Sequence, residues 1–145
     1  MKRFVTRMHA LVFRLSGGRI LGRMGGQPVL LLQTVGRRTG QTRVTPVQYL
    51  SVDGAFVVVA ANGGAAHPPS WCLNLRAAPH AKVLLGKQNL DVQARETTGS
   101  ERDAMWRQLT AVNRYLDGVA EKAERRLPVL VLAPGKGSPG RRGGA

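Results

Sequence analysis

Asp53-Gly54 stands between two apolar runs, Tyr49–Val52 and Phe56–Ala61, and that spacing limits what the chain can become. An Asp-Gly pair flanked by apolar strands is a strong short-range hairpin signal, because both residues tolerate the left-handed backbone that a tight turn needs. A second pair of short strands, Ala81–Leu85 and Leu90–Ala94, flanks Gly86-Lys87. Consecutive hairpins give antiparallel pairing, whereas parallel sheets need a helix between strands. The expected class is therefore α+β: a mainly antiparallel sheet or small barrel, with an N-terminal helix and late helices.

The remaining elements follow from period and punctuation. Residues 2–15 read as a helix, with Phe4, Met8, Leu11, Val12 and Leu15 on one face and Lys2, Arg3, Arg7 and Arg14 mostly off it. That basic amphipathic pattern suits either a membrane surface or packing on its own domain. A glycine-rich connector covers residues 19–26. Strands are expected over Pro28–Val35, Arg43–Val52 and Phe56–Ala61, and Pro46 argues for an edge or a bulge in the second. Ser70–Ala77 reads as a short helix between Pro69 and Pro79. Thr98 with Glu101, or Ser100 with Asp103, offers a capping box for a helical region reaching about residue 125, with a break near Asn113 or Gly118. Pro128–Leu132 is the last strand. The expected division is 1–26 helix and connector, 27–133 a single domain, and 134–145 a disordered tail of Gly, Pro, Ser and Arg.

Charge is distributed unevenly. The net charge is +14, and nine of the 22 basic residues precede the first acid, Asp53. A field of one sign over that stretch attracts polyanions: nucleic acid, an anionic membrane surface or an anionic cofactor. Nucleic acid is disfavoured because aromatic residues make up only 5% of the chain, too few for a stacking platform. The local focus of charge is Gly36-Arg37-Arg38-Thr39-Gly40-Gln41-Thr42-Arg43. Two glycines allow successive amides to point into one concavity, and three arginines supply forked donors suited to phosphate. The plain alternative is a solvated hairpin turn. A Walker loop is excluded, since its lysine, spacing and following helix are absent.

Other chemistry is poorly represented. His9, His67 and His80 stand far apart, so no metal set is expected. Seven of the eight acids fall after residue 90, which argues against paired catalytic carboxylates. No serine hydrolase signature occurs. Cys72 is the single cysteine, which excludes an internal disulfide and suits a reducing cytoplasm. It reads as a small buried hydrophobe. No apolar run approaches a membrane span, and no signal peptide is convincing. Asn62-Gly63-Gly64 follows an apolar strand and either admits a flat ligand close to backbone or is an ordinary loop. Trp71 either packs in the core or walls a pocket.

Four segments taken together resemble the deazaflavin-dependent nitroreductase and quinone reductase family. They are Leu30–Pro46 with its arginine turn, Val59-Ala60-Ala61-Asn62-Gly63-Gly64, Trp71–Pro79, and Leu127-Pro128-Val129-Leu130-Val131. Their order and spacing hold from about residue 28 to 133. The resemblance implies a split β-barrel of the flavin-binding oxidase type. It implies coenzyme F420 as the cofactor, with flavin mononucleotide less suited, and hydride transfer from the reduced coenzyme to a quinone, enone or other activated acceptor. A cofactor carrier without turnover is the alternative.

By motif, the resemblance places the coenzyme's phosphate and acidic tail on Arg37, Arg38, Thr39 and Arg43. It places the ring along Val44, Thr45, Pro46, Val47 and Gln48, along Ala60, Ala61, Asn62 and Gly63, and along Ser70, Trp71, Cys72, Leu73 and Asn74. It places the acceptor around Gln48, Asn62, Asn113, Tyr115 and Leu116. Relatives carry tyrosines at the positions of Gln48 and Leu116 and a serine at Asn62, and Tyr115 is offset by one from the family's aromatic position. No catalytic residue and no metal ligand is assigned. The expected partners are a small-molecule electron acceptor, a membrane surface touched through residues 2–15, and either no second copy or one. The expected setting is the cytoplasm, with that membrane contact.

Overall fold

The computed structural model describes residues 23–24, 27–123 and 125–135. The helix expected over residues 2–15 lies outside the described residues, as does the tail beyond residue 135. The elements in order are β1 (Arg23–Met24), β2 (Gln27–Val35), β3 (Thr42–Gln48), β4 (Leu50–Val52), β5 (Ala55–Val59), α1 (Ser70–Ala77), β6 (His80–Leu85), β7 (Gln88–Glu96), α2 (Gly99–Val112), α3 (Tyr115–Ala123) and β8 (Val129–Pro134). One 3-10 turn, Asn62–Gly64, lies between β5 and α1.

Every strand pairing is antiparallel. The order is β1-β2-β6-β7-β8-β5-β4, with β3 also on β2. Asp53 and Gly54 have φ of 51° and 81°, the doubly left-handed turn that matches the twist of a hairpin. β3 pairs only with β2, so Pro46 sits on an edge strand, where its missing N–H is tolerated.

The sequence predicts one strand over Arg43–Val52, and the structure divides it. Tyr49 still donates its N–H to the carbonyl of Pro28 in β2, at 3.1 Å. The next residue, Leu50, pairs with Val57 on β5. The Tyr49 ring meets Phe56 edge to face at 5.3 Å, which anchors the crossing point. β3 and β4 are thus opposite ends of the sheet and consecutive in the chain. The sheet curls into a barrel that is split between them.

Both faces of the wall opposite are covered. Phe56, Val58, Leu130 and Leu132 point into the barrel core with Leu30, Leu32, Val83 and Val92. Val57, Val129 and Val131 point outward beneath Leu109 of α2 and Leu116 of α3. This accounts for the unbroken apolar runs of β5 and β8, where a half-exposed strand would alternate. β7 does alternate: Leu90, Val92 and Ala94 are buried, and Asp91, Gln93 and Arg95 are exposed. α1 closes the barrel with Trp71, Cys72 and Leu75.

Thr98 occupies the N-cap of α2 but makes no side-chain cap hydrogen bond. Neither expected capping box accounts for the helix start: the Glu101 carboxylate accepts instead from Arg95, at 2.8 and 2.7 Å, and Ser100 lies inside the helix, past its N-cap. The break near Asn113 is present, with φ −142° and ψ 87° between α2 and α3.

Candidate active site

The hairpin turn joining β2 to β3 is closed by its own backbone. Gly36 N–H donates to Gln41 O at 2.7 Å, and Gly40 N–H donates to Gly36 O at 2.8 Å. Gln41 N–H donates to the Thr39 hydroxyl oxygen at 3.1 Å. Gly40 has φ of 75° and needs the freedom expected of it. Gly36 is required for a different reason. A Cβ there would stand 3.0 Å from Gln41 O and 3.1 Å from Thr39 Oγ1, so the constraint is space and not positive φ.

Asn74 of α1 is the root of this turn. It is 3% exposed, and its Oδ1 accepts from the Arg37 N–H at 3.1 Å and from Arg37 Nη1 at 3.0 Å. Its Nδ2 donates to Thr34 Oγ1, itself buried, at 3.1 Å. One side of Arg37 is therefore committed to shaping the turn. Arg38 and Arg43 are exposed, and no acid pairs with either among the described residues. They form an uncompensated cationic end.

β3 leads from this end into a cavity of about 340 Å³. Strand residues advance about 3.4 Å each, so Arg43 and Val47 lie about 14 Å apart along the strand. The cavity sits at the split in the barrel. Thr45, Pro46, Val47, Gln48, Tyr49 and Leu50 form one side; Val59, Ala61, Asn62, Pro69 and Trp71 form another; and Leu109, Val112, Asn113, Tyr115 and Leu116 cover it. Apart from the two tyrosines, none of these side chains ionises. The volume falls within the roughly 300–1,000 Å³ typical of small-molecule sites.

All five residues predicted for the acceptor, Gln48, Asn62, Asn113, Tyr115 and Leu116, line this cavity. Of the predicted ring contacts, Thr45, Pro46, Val47, Gln48, Ala61, Asn62 and Trp71 line it, while Val44, Gly63, Ser70 and Leu73 lie outside the lining. The side chains of Ala60 and Cys72 are fully buried, and the Asn74 amide is spent inside the protein, so these three support the site from behind. Burial, with a smaller push from Glu96, holds the Cys72 thiol above its ordinary range against opposing pulls from Arg76 and Arg125. Trp71 does both things expected of it, at 7% exposure in the core with one edge on the cavity.

Two amide contacts shape the cavity. Asn113 Nδ2 donates to Gln48 Oε1 at 3.3 Å, joining the α2–α3 break to β3. Asn62 has φ of 50°, a left-handed conformation that asparagine tolerates. Its Nδ2 donates to His67 O at 3.0 Å. Tyr115 and Val112 stand 70% and 49% exposed at the rim. Sequence reasoning missed Leu109 and Val112, although their spacing of three before the helix break places both on one face. It also missed Arg125, whose guanidinium reaches into the loop after β5. No cluster of metal-ligating side chains occurs among the described residues.

An antiparallel barrel split at its edge strands, with an uncharged cavity in the split and a cationic turn one strand-length away, is an arrangement suited to a flat ligand with an anionic tail. The model of the F420H2-dependent quinone reductase family matches residues 5–134, and this chain belongs to that family, as an enzyme whose cofactor is coenzyme F420. A curated F420H2-dependent quinone reductase of Mycobacterium tuberculosis is 33% identical over 133 residues, covering 88% of this chain and 89% of its own. The solved structure of an F420H2-dependent reductase aligns with a TM-score of 0.66 at 31% identity, covering 72% of this chain and 93% of its own. A second solved structure, described as a domain-swapped dimer, aligns with a TM-score of 0.67 at 30% identity, covering 85% of this chain and 98% of its own. The residues present fit the group: the exposed arginines suit its phosphate and acidic tail, and the apolar, uncharged cavity suits its ring.

Proposed function

We propose that the chain reduces a quinone, holding the hydride donor along β3 and the acceptor under the α2–α3 break. The observation that carries this reading is the continuity of β3 from the cationic turn into an uncharged cavity. Arg38 and Arg43 would grip the phosphate and tail, with Arg37 and Thr39 fixed beside them as the turn's frame. Thr45 to Gln48, Ala61, Asn62 and Trp71 would flank the ring.

Bound there, reduced deazaflavin supplies a hydride. The chain's own part is binding, orientation and exclusion of water. Asn113 Nδ2 carries a second hydrogen beyond the one given to Gln48 Oε1 and could donate it to an acceptor oxygen as that gains charge, while Leu109, Leu116 and Val59 keep that wall apolar. A planar acceptor with carbonyl groups fits such a mixed lining.

The test is titration of the chain with deazaflavin and with flavin mononucleotide, read by fluorescence quenching, followed by mixing reduced deazaflavin with a soluble naphthoquinone. Micromolar or tighter deazaflavin binding and oxidation by the quinone are expected. Binding without oxidation by any quinone, enone or nitroaromatic would make the chain a carrier, and no deazaflavin binding would overturn the assignment of the turn. A charge-assisted hydrogen bond contributes roughly 1.5–3 kcal/mol. Arg38→Ala should therefore weaken cofactor binding by about 10- to 100-fold with the hydride step nearly unchanged.

Two further readings concern assembly. The domain-swapped relative supports a dimer, which light scattering in solution would check. Peripheral membrane contact through residues 2–15 rests on their basic amphipathic pattern. It predicts that deleting them abolishes co-sedimentation with anionic liposomes. No helix among the described residues is long and apolar enough to cross a membrane.

A further inference from the structure

Arg125 lies between α3 and β8, about sixty residues from the loop it holds. Its Nε donates to Ala65 O at 2.7 Å. Its Nη2 reaches Ala61 O and His67 O, each at 3.1 Å, and more weakly Ala60 O at 3.4 Å. One guanidinium thus gathers four carbonyls of residues 60–67. That loop carries Asn62 in its left-handed conformation on the cavity wall. The same loop is pressed against α3, since a Cβ on Gly64 would stand 3.2 Å from the Lys122 side chain. Arg125 does not itself line the cavity and meets its wall only through the backbone of Ala61.

We infer that Arg125 is a positioning residue for hydride transfer, holding the Ala61–Asn62 wall at the depth at which donor and acceptor meet. This rests on the reading of the cavity given above. The chemistry requires an arginine. A planar fork can serve several carbonyls from one plane, whereas a lysine ammonium is a compact, strongly hydrated charge on a flexible stem. A displacement of about 1 Å at a reacting centre costs about 100-fold in rate, so the loop need not unfold for the effect to be large.

The experiment compares the parent with Arg125→Lys and Arg125→Gly. In cofactor-free protein, hydrogen–deuterium exchange of residues 60–67 reports the loop directly. Its amides at Gly64 and Ala65 are bonded to Ala61 O and Asn62 O, at 3.0 Å each. Exchange there should rise about tenfold in both variants while β6 and β7 keep parental protection. Single-turnover oxidation of reduced deazaflavin by a naphthoquinone should slow by about 10- to 100-fold. Deazaflavin affinity should stay within about threefold of the parent, because the charged tail is gripped elsewhere. Guanidinium chloride below denaturing concentration should restore much of the rate in Arg125→Gly, and sodium chloride at the same concentration should restore none of it.

Parental exchange and parental rate in Arg125→Lys would overturn the inference. So would faster exchange throughout the core together with loss of affinity, which would make Arg125 a general stabiliser. A parent that binds no deazaflavin would overturn the function and the catalytic half of this inference together. The cofactor-free exchange comparison would still decide whether Arg125 holds the loop.

Discussion

Asn74 shows how one amide can be worth more than its neighbours. It ties α1, the end of β2 and the arginine turn together through three hydrogen bonds. Asn74→Ala would leave the Arg37 N–H without its acceptor and the buried Thr34 hydroxyl without its donor. An unsatisfied buried group costs about 1–3 kcal/mol. For a domain of this size the melting temperature should fall by about 3–10 °C, as read by circular dichroism. Deazaflavin affinity should fall as well, because the turn loses its frame. A variant that melts lower but binds as the parent does would show that the turn holds its shape unaided. The sequence made Asn74 visible by its neighbourhood, and its bonds to Arg37 and Thr34 appear only in the fold. Residue type and motif position say that an amide is needed, and only the fold says which way it faces. Arg125 left no signal, since its partners are backbone carbonyls some sixty positions away and carbonyls carry no side-chain identity. Cys72 was legible because an apolar neighbourhood is a local property.

Elements were easier to read than their boundaries. The hairpins, α1 and the break between α2 and α3 all follow from turn residues and period. The capping box does not, because Ser100 falls inside the helix and Glu101 is held by a partner on β7. Arg95 takes the Glu101 carboxylate, and that hydrogen-bonded pair holds the carboxyl below its ordinary range. A carboxyl lowered in the folded state stabilises fully above its unfolded value and ceases to do so as pH falls through the folded one. The tie between α2 and β7 should therefore be intact at neutral pH and weaken in acid. Glu101→Gln should remove that part of the acid dependence, as measured by thermal melts from pH 7 down to pH 3. An unchanged acid limb would assign it to other carboxyls. In the turn, Gly36→Ala should raise the Kd for deazaflavin more than it lowers stability, because the added methyl meets the Gln41 carbonyl that closes the loop. Equal loss of both would mean that the turn and the barrel yield together.

Across the whole molecule, charge and chemistry are kept apart. The cationic end lies outside the barrel, and the cavity lining holds no acid, lysine, arginine or histidine. Salt screens exposed charges over a Debye length of about 8–10 Å near physiological ionic strength. Raising salt should therefore weaken deazaflavin binding progressively while leaving the quinone KM nearly constant at saturating cofactor. Steady-state kinetics across a salt series would check this, and a parallel rise in both constants would place charge near the acceptor. The barrel and its cationic end were legible because hairpin spacing and clustered arginines are short-range patterns. The cavity's roof was legible only as a list. Asn113, Tyr115 and Leu116 come to line one cavity with Gln48 and Asn62 through a long-range packing of helices on β5 and β8 that no local pattern encodes.

Tyr49 connects the two ends of one sheet with no slack. A hairpin such as the one at Gly86-Lys87 can accept an extra residue and bulge into solvent. An extra residue beside Tyr49 could not, because side chains alternate along a strand and β4 would turn its Leu50 and Val52 away from their packing. The lineage of such a chain is then free to change its pocket by exchanging side chains and is barred from doing so by changing length at that joint. Insertions and deletions should accumulate at the outer turns and stop at residue 49.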